Sequence, residues 1–196
     1  MLLFDLENKN SIGVDEAGRG PLAGPVVAAS AKLICYDERL SKINDSKKLS
    51  EKMREELFDV ILSNFNIGVG IATVEEIDEK NILNATFLAM RRSIEDLSED
   101  TKFEKVLVDG NHKIREYEFD QEAIIKGDGK SLNIAAASII AKVTRDRIMK
   151  ILDKEYPGYG LEKHKGYGTK YHREMLIEKG PTKIHRKSFL KKILGE

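Results

Sequence analysis

The chain of 196 residues has no tryptophan, four prolines and a single cysteine, Cys35. One cysteine excludes an intramolecular disulfide, and with it the disulfide-stapled scaffolds of small secreted proteins. A reducing, cytoplasmic location is the resulting expectation. Cys35 lies in the apolar run from Lys32 to Tyr36 and is expected as a small core residue rather than a nucleophile. No run of about eighteen apolar residues occurs, so no transmembrane helix is expected, and the opening MLLFDLENKN lacks the basic leader of a signal peptide. Zinc-binding spacing is missing too. His112, His164, His172 and His185 pair with no cysteine at ligand distance and are expected at the surface or against phosphate.

Net charge is also absent, since 33 Lys and Arg balance 33 Asp and Glu. The balance hides a gradient. From Ala141 onward there are 15 basic and 7 acidic residues, whereas the first 140 residues hold 18 and 26. An acidic front with a basic C-terminal quarter suits carboxylates that collect metal beside a surface that collects phosphates. Solvated helix faces would produce the same gradient, so charge alone leaves the two readings open.

What the chain does have is DEAGRGPLAGPVV, Asp15 to Val27, directly after the apolar run Ser11–Val14. Two adjacent acids at the end of a strand are followed by three glycines and two prolines within ten residues. Paired acids with a backbone that can be approached closely suit a hard metal ion beside a phosphate.

Along the rest of the chain strands alternate with helices. Ile12–Asp15, Val26–Leu33, Asn66–Thr73, Lys105–Gly110 and Glu122–Lys126 read as strands. Ser50 reads as the N-cap of a helix carrying Met53, Leu57, Val60 and Ile61 at helical spacing. Thr73 and Glu76 have capping-box spacing, which predicts one long helix from Val74 toward Leu97. SLNIAAASIIAKVTRDRIMKILDKEY, stopped by Pro157, is the clearest helix, and its small residues permit close packing on a sheet. The alternation predicts an α/β domain with a mixed central sheet flanked by helices and a small C-terminal helical element. Residues 1–156 are expected to form the core and residues 157–196 a basic, substrate-binding C-terminal element packed on it.

Asp15, Asp109 and Asp128 each fall at an element end, where side chains from separate segments converge. Carboxylates gathered at one point repel unless divalent cations neutralise them. Oxygen-only ligation points to Mg²⁺ or Mn²⁺.

DEAGRGPLAGPVV resembles the first active-site block of type 2 ribonuclease H, the bacterial ribonuclease HII family. NDSKKLS (Asn44–Ser50), VDGN (Val108–Asn111), KGDGKSLNIAAASIIAKVTRDR (Lys126–Arg147), HKGYGTKYH (His164–His172) and IHRKSF (Ile184–Phe189) continue the resemblance in the same order over nearly the whole chain. It implies a ribonuclease H-like fold and a metal-dependent endonuclease. The enzyme would cut the RNA strand of RNA–DNA hybrids, and cut 5′ of single ribonucleotides in duplex DNA, with two Mg²⁺ or Mn²⁺ ions, leaving 3′-hydroxyl and 5′-phosphate ends. By the same resemblance Asp15, Glu16, Asp109 and Asp128 are the catalytic, metal-binding carboxylates, and Gly18, Arg19, Gly20, Lys47 and Tyr167 contact substrate. Asp146 is the rival for the fourth carboxylate. Lying between Arg145 and Arg147, it is expected in a helix-surface ion pair.

Lys48 and Lys142 are further candidate phosphate contacts. Lys163, Lys165, Lys170, Arg173, Lys183, Arg186 and Lys187 are expected on a duplex-binding surface. No obligate protein partner is evident, and a monomer is the default. The ribonuclease HIII relatives carry an N-terminal DNA-binding extension, for which the fourteen residues before Asp15 leave no room. Two other classes stay open on residues alone: a structure-selective DNA nuclease on the same scaffold, and a non-catalytic hybrid-binding module. Gly18-Arg19-Gly20 with Tyr167 argues against the first, since a DNA-only substrate presents no 2′-hydroxyl. Intact acids at all four carboxylate positions argue against the second, since a mere binder gains nothing from negative charge near phosphates.

Overall fold

A computed structural model describes residues 1–8, 10–43 and 49–195. Five strands form one sheet: β1 (Ser11–Ala17), β2 (Val26–Leu33), β3 (Phe65–Ala72), β4 (Lys105–Asp109) and β5 (Asp120–Ile124). Their spatial order is β3-β2-β1-β4-β5. The β1–β2 and β2–β3 pairs are antiparallel, whereas β1–β4 and β4–β5 are parallel, so the sheet is mixed as expected. The helices are α1 (Leu2–Glu7), α2 (Glu51–Asn64), α3 (Val74–Lys80), α4 (Ile82–Glu95), α5 (Leu132–Glu155), α6 (Leu161–His164), α7 (Lys170–Lys179) and α8 (Lys187–Leu194).

Two cores sandwich the sheet. On one face Ala135, Ala136, Ile139, Ile140 and Val143 of α5 pack with Leu57 and Ile61 of α2 against Ala29 and Ala31 of β2. On the other, Ala85, Ala89, Met90 and Ile94 of α4 meet Ile12, Val14, Val26, Ala28, Val106 and Val108. Alternation along β1 then sets the site. Ile12 and Val14 point toward α4, so Gly13 and Asp15 point toward α5. The approach on that side is close enough that a Cβ on Gly13 would stand 2.2 Å from the Ile134 backbone nitrogen.

Local chemistry sets the helix starts. Ser50 Oγ accepts from the Met53 amide, and Thr73 forms the expected reciprocal capping box with Glu76. At α5, Ser131 caps the Ile134 amide, while Asp5 of α1 accepts from Ser131 Oγ and from the Leu132 amide at 2.6 Å each. A carboxylate at this N-terminus also meets the positive end of the helix dipole.

Several expectations need correction. The long helix over Val74–Leu97 is two helices. Asn81 takes φ 67°, ψ 163°, and its side chain accepts from the Leu83 and Asn84 amides, capping a second start. β1 runs two residues beyond Asp15, and β5 lies two residues earlier than expected. Cys35 is exposed, because the chain leaves the sheet after Leu33. No helix among the described residues is long and apolar enough to cross a membrane.

Candidate active site

Asp15 is 6% exposed, facing α5 beneath the antiparallel partner Ala29. Its Oδ1 accepts from the Glu16 amide at 2.7 Å, and Ser138 of α5 also hydrogen-bonds the carboxylate. Burial raises its pKa well above the ordinary carboxylate range, and the charges of Glu16 and Asp109 push it further the same way. Asp109 ends β4, one strand over, because β4 runs parallel to β1 and places its C-terminal end beside that of β1. Asp109 Oδ1 accepts from the Gly127 amide at 2.7 Å, which ties it to the Gly127–Gly129 turn carrying buried Asp128. The four sequence-predicted carboxylates thus lie at the ends of β1 and β4 and in the turn before α5. As placed, no three Asp, Glu, His or Cys side chains among the described residues converge tightly enough to enclose one ion. The chemistry fits a hard divalent cation nonetheless. The donors are all oxygen, and the forces acting on Asp15 are burial and like charge, both of which a cation relieves.

A cavity of about 220 Å³ opens over Asp15 and Glu16, lined also by Gly18, Arg19, Gly20, Ser138, Lys142, Arg145 and Tyr167. Ser138, Lys142 and Arg145 share one face of α5 at helical spacing. Lys142 Nζ bonds Asp146 Oδ1 at 2.6 Å. Asp146 is therefore ion-paired as expected, but it is buried and its partner is Lys142, whereas Arg147 binds Glu55 at 2.5 Å. Burial presses the Lys142 ammonium below its ordinary pKa, and Asp146 opposes this.

The wall formed by residues 18–25 is held from behind by two buried arginines. Arg186, fully buried, donates to the carbonyls of Gly18 (2.6 Å), Arg19 (2.9 Å), Pro21 (2.8 Å), Gly24 (2.8 Å) and Pro25 (3.3 Å). Arg145 donates to Pro25, Ala23 and Lys165 at 3.0–3.1 Å. Burial lowers the pKa of both guanidinium groups. Glycine is required in this wall. Gly18 (φ +101°) and Gly24 (φ +82°) hold left-handed backbone, and a Cβ would meet Arg145 Nε at 2.0 Å and Met149 Sδ at 2.4 Å. With the carbonyls turned to the arginines, the amides of Gly18, Arg19 and Gly20 donate to no acceptor among the described residues.

Tyr167 closes the cavity. Its ring is 47% exposed and stands 3.5 Å from where a Cβ of Gly20 would lie. The segment is fixed by Leu22 N donating to the Gly166 carbonyl and Tyr167 N to the His164 carbonyl, at 2.8 and 2.9 Å.

Two sequence expectations change here. Arg186 is not on a duplex-facing surface, since its guanidinium is consumed by loop carbonyls. His172 and His185 are buried, 0% and 1% exposed, and touch each other rather than solvent. Lys47 and Lys48 lie outside the described residues. The structural roles of Arg145 and Arg186 were missed. Arg145 carried a faint signal, being seven residues after Ser138 on the inward face of α5. Arg186 carried none, because its partners are more than 160 residues away.

The ribonuclease HII family model matches residues 12–192. The chain belongs to the ribonuclease HII family. A ribonuclease HII of Fusobacterium nucleatum is 64% identical over 197 residues, covering 99% of this chain and 92% of that one. That of Clostridioides difficile is 55% identical over 183 residues, covering 93% and 70%. Among solved structures, ribonuclease H2 from Pyrococcus horikoshii superposes with a TM-score of 0.77 at 32% identity, covering 94% of this chain and 97% of that one. A Bst ribonuclease HIII crystallised with Mn²⁺ shares the fold at 20% identity, TM-score 0.74, over 94% of this chain and 69% of that one. Ribonuclease HII membership makes the chain a metal-dependent endoribonuclease acting on RNA–DNA hybrids.

Proposed function

We propose that this ribonuclease HII cuts on the 5′ side of single ribonucleotides embedded in duplex DNA, as well as within the RNA strand of hybrids. One observation carries the reading: a buried carboxylate, Asp15, opens into the same cavity as loop amides that meet no acceptor among the described residues and an exposed tyrosine ring. The first part handles a phosphate and the second a sugar.

Asp15, Glu16, Asp109 and Asp128 would hold two divalent ions, Mg²⁺ or Mn²⁺. Bound there, these ions supply an activated water and stabilise charge on the departing 3′ oxygen. Asp146 is set aside because Lys142 already neutralises it. The amides of Gly18, Arg19 and Gly20 offer donors to the 2′-hydroxyl and its phosphate. The 2′-hydroxyl both donates and accepts, and it is what separates RNA from DNA at a given site. The Tyr167 ring packs on the sugar at the junction, and its hydroxyl takes part in the reading. Lys142, on the cavity wall, is placed for a phosphate oxygen once substrate competes with Asp146. Residues 157–196, with Lys163, Lys165, Lys170, Arg173, Lys183 and Lys187, form the element that grips the duplex, and the enzyme acts as a monomer.

The test is cleavage of a labelled DNA duplex containing one ribonucleotide, with Mg²⁺, Mn²⁺ or EDTA, mapped to single-nucleotide resolution. A metal-dependent cut 5′ of the ribonucleotide, with an all-DNA control intact, is the expected result. A cut in the control would point to a structure-selective nuclease, and no cut with any metal would point to a binding module. Tyr167→Phe is expected to retain part of the activity on this substrate, whereas Tyr167→Ala loses on the order of a hundredfold in kcat/KM through misplacement of the sugar. Equal, wild-type cleavage by both variants would remove Tyr167 from substrate reading. Hybrid binding is also expected to weaken steeply with salt, because phosphate contacts release counterions. A flat dependence of log Kd on log salt would exclude the basic element as the duplex surface.

A further inference from the structure

The segment that presents Tyr167 is braced by three histidines whose protonation states follow from their partners. His172 Nδ1 lies 3.0 Å from the Tyr167 carbonyl, which only accepts, so Nδ1 carries the proton and Nε2 of the neutral ring accepts. That Nε2 is 3.1 Å from His185 Nε2, which must therefore donate. His185 Nδ1 is then left as an acceptor, and the Thr182 amide donates to it at 3.0 Å. His164 is consistent with the same pattern. Its Nδ1 accepts from the Gly166 amide at 3.2 Å and its Nε2–H donates to the Tyr159 carbonyl at 2.7 Å. The His164 ring stacks on His172 with centroids 4.5 Å apart.

We propose that His172 and His185 are positioning residues for the reaction: one proton shared between the Nε2 atoms of two neutral rings holds the Tyr167 carbonyl in place against the C-terminal segment. A proton added to His172 would set N–H against N–H across the 3.1 Å contact, and one added to His185 Nδ1 would face the Thr182 N–H and leave the Thr182 hydroxyl, 2.9 Å away, as its acceptor. The same C-terminal segment carries Arg186 and a bridge from His185 to Ala23, so the pair joins the Tyr167 wall to the glycine wall. The titratable and charged groups around the pair are the His164 and Tyr159 rings and the neighbouring Arg186 guanidinium, and no carboxylate among the described residues bears on either ring. Burial, aided by His172, holds the His185 ring down to about 4, and burial lowers His172 in the same direction. Both shifts favour the neutral form of the rings. The sign is that of a base destabilised as its cation: the brace is intact above the ordinary histidine pKa of about 6.5 and is lost as pH falls through the folded values.

The inference rests on the reading of Tyr167 given above, and its test separates the two. In the full-length protein labelled with ¹⁵N, imidazole spectra at neutral pH should show His172 protonated on Nδ1, His185 on Nε2, and a scalar coupling between the two Nε2 atoms. Either ring titrating near 6.5 like a free imidazole would overturn the proposal without any variant. Activity provides the second arm. His172→Leu is expected to lose tenfold or more in kcat/KM, on the order expected for a displaced contact residue, and His172→Asn, which keeps a donor for the Tyr167 carbonyl, should recover much of it. Combined with Tyr167→Ala, the His172→Leu loss should largely vanish, because both act through one ring. Additive losses would overturn positioning through Tyr167. Wild-type cleavage by Tyr167→Ala alone would instead overturn the substrate role of Tyr167, and the spectroscopic result would stand separately.

Discussion

Asp15→Asn is expected to abolish cleavage while raising the melting temperature of the metal-free protein. The two effects have one cause. Asp15 is buried, and the nearby charges of Glu16 and Asp109 oppose its ionisation, so its pKa stands well above the usual range. A carboxyl whose folded pKa is raised binds its proton more tightly in the folded state. Its contribution to stability is therefore full at low pH and is lost as pH rises through the folded value. At neutral pH the carboxylate strains the fold. Asparagine keeps an oxygen for the Glu16 amide, which Asp15 Oδ1 engages at 2.7 Å, and removes the charge. Each unit of relieved shift is worth about 1.4 kcal/mol, and a chain of this size gains about 2–4 °C per kcal/mol. The stability gap between variant and wild type should widen as pH rises.

Divalent metal provides the complementary measurement. Mg²⁺ or Mn²⁺ should raise the melting temperature of the wild type, because a ligand that binds only the folded state stabilises it. The same ion should do little for Asp15→Asn. Scanning calorimetry of both proteins, with and without metal, checks this alongside cleavage. Undiminished cleavage by the variant would remove Asp15 from the chemistry, and a lower melting temperature would show that its carboxylate stabilises the fold.

The largest loss of stability is expected from Arg186→Met. The side chain is fully buried and donates to five carbonyls of the loop containing Gly18-Arg19-Gly20. Methionine fills similar volume and leaves those acceptors without their donor. Buried polar groups stripped of partners cost about 1–3 kcal/mol each, less where water reaches them. A loss of about 3–5 kcal/mol, the range for breaking a buried charged network, is the expectation from urea denaturation. Lysine should rescue little, because one ammonium cannot span carbonyls that a planar five-donor fork reaches. Lys150→Met is the contrast. Its ion pair with Glu51 spans 2.8 Å at the surface, and exposed pairs of that kind are worth about 0–1 kcal/mol. If Arg186→Met cost no more than that, the loop carbonyls would have to find other donors, and the arginine would not be what shapes the cavity wall. Cleavage should fall with the loop in any case, since the amides of residues 18–20 depend on the carbonyls being turned inward.

Much of this molecule was legible before folding. The strands were visible because their apolar residues run to glycine, proline or acid, and two helix starts because Ser50, and Thr73 with Glu76, cap amides within three residues. Asp15, Asp109 and Asp128 stood out at element ends, the family resemblance added Glu16, Gly18–Gly20 and Tyr167, and the fold brings Asp15, Glu16, Gly18, Arg19, Gly20 and Tyr167 to one cavity. One local signal was read wrongly. Asn81 interrupts a continuous apolar pattern, and its own side chain restarts the helix. Asparagine tolerates positive φ better than most residues, and periodicity cannot register that.

Other features were never local. Cys35 stands among apolar neighbours in the sequence yet is exposed, because burial depends on where β2 leaves the sheet. Arg186 looks like one more basic residue in a basic tail, and His172 and His185 look like surface imidazoles. Their burial depends on α7 and α8 folding back onto the loop of residues 18–25, which brings together groups more than 160 residues apart. By itself the sequence determined the alternation of strands and helices, the caps, and which acids stand at strand ends, because each depends on neighbours within about a helical turn. Only the tertiary structure decided which charges are buried, which carbonyls the arginines hold and which imidazole nitrogens carry protons. Those outcomes depend on desolvation and on partners supplied by distant segments, and neither is encoded in any single stretch of chain.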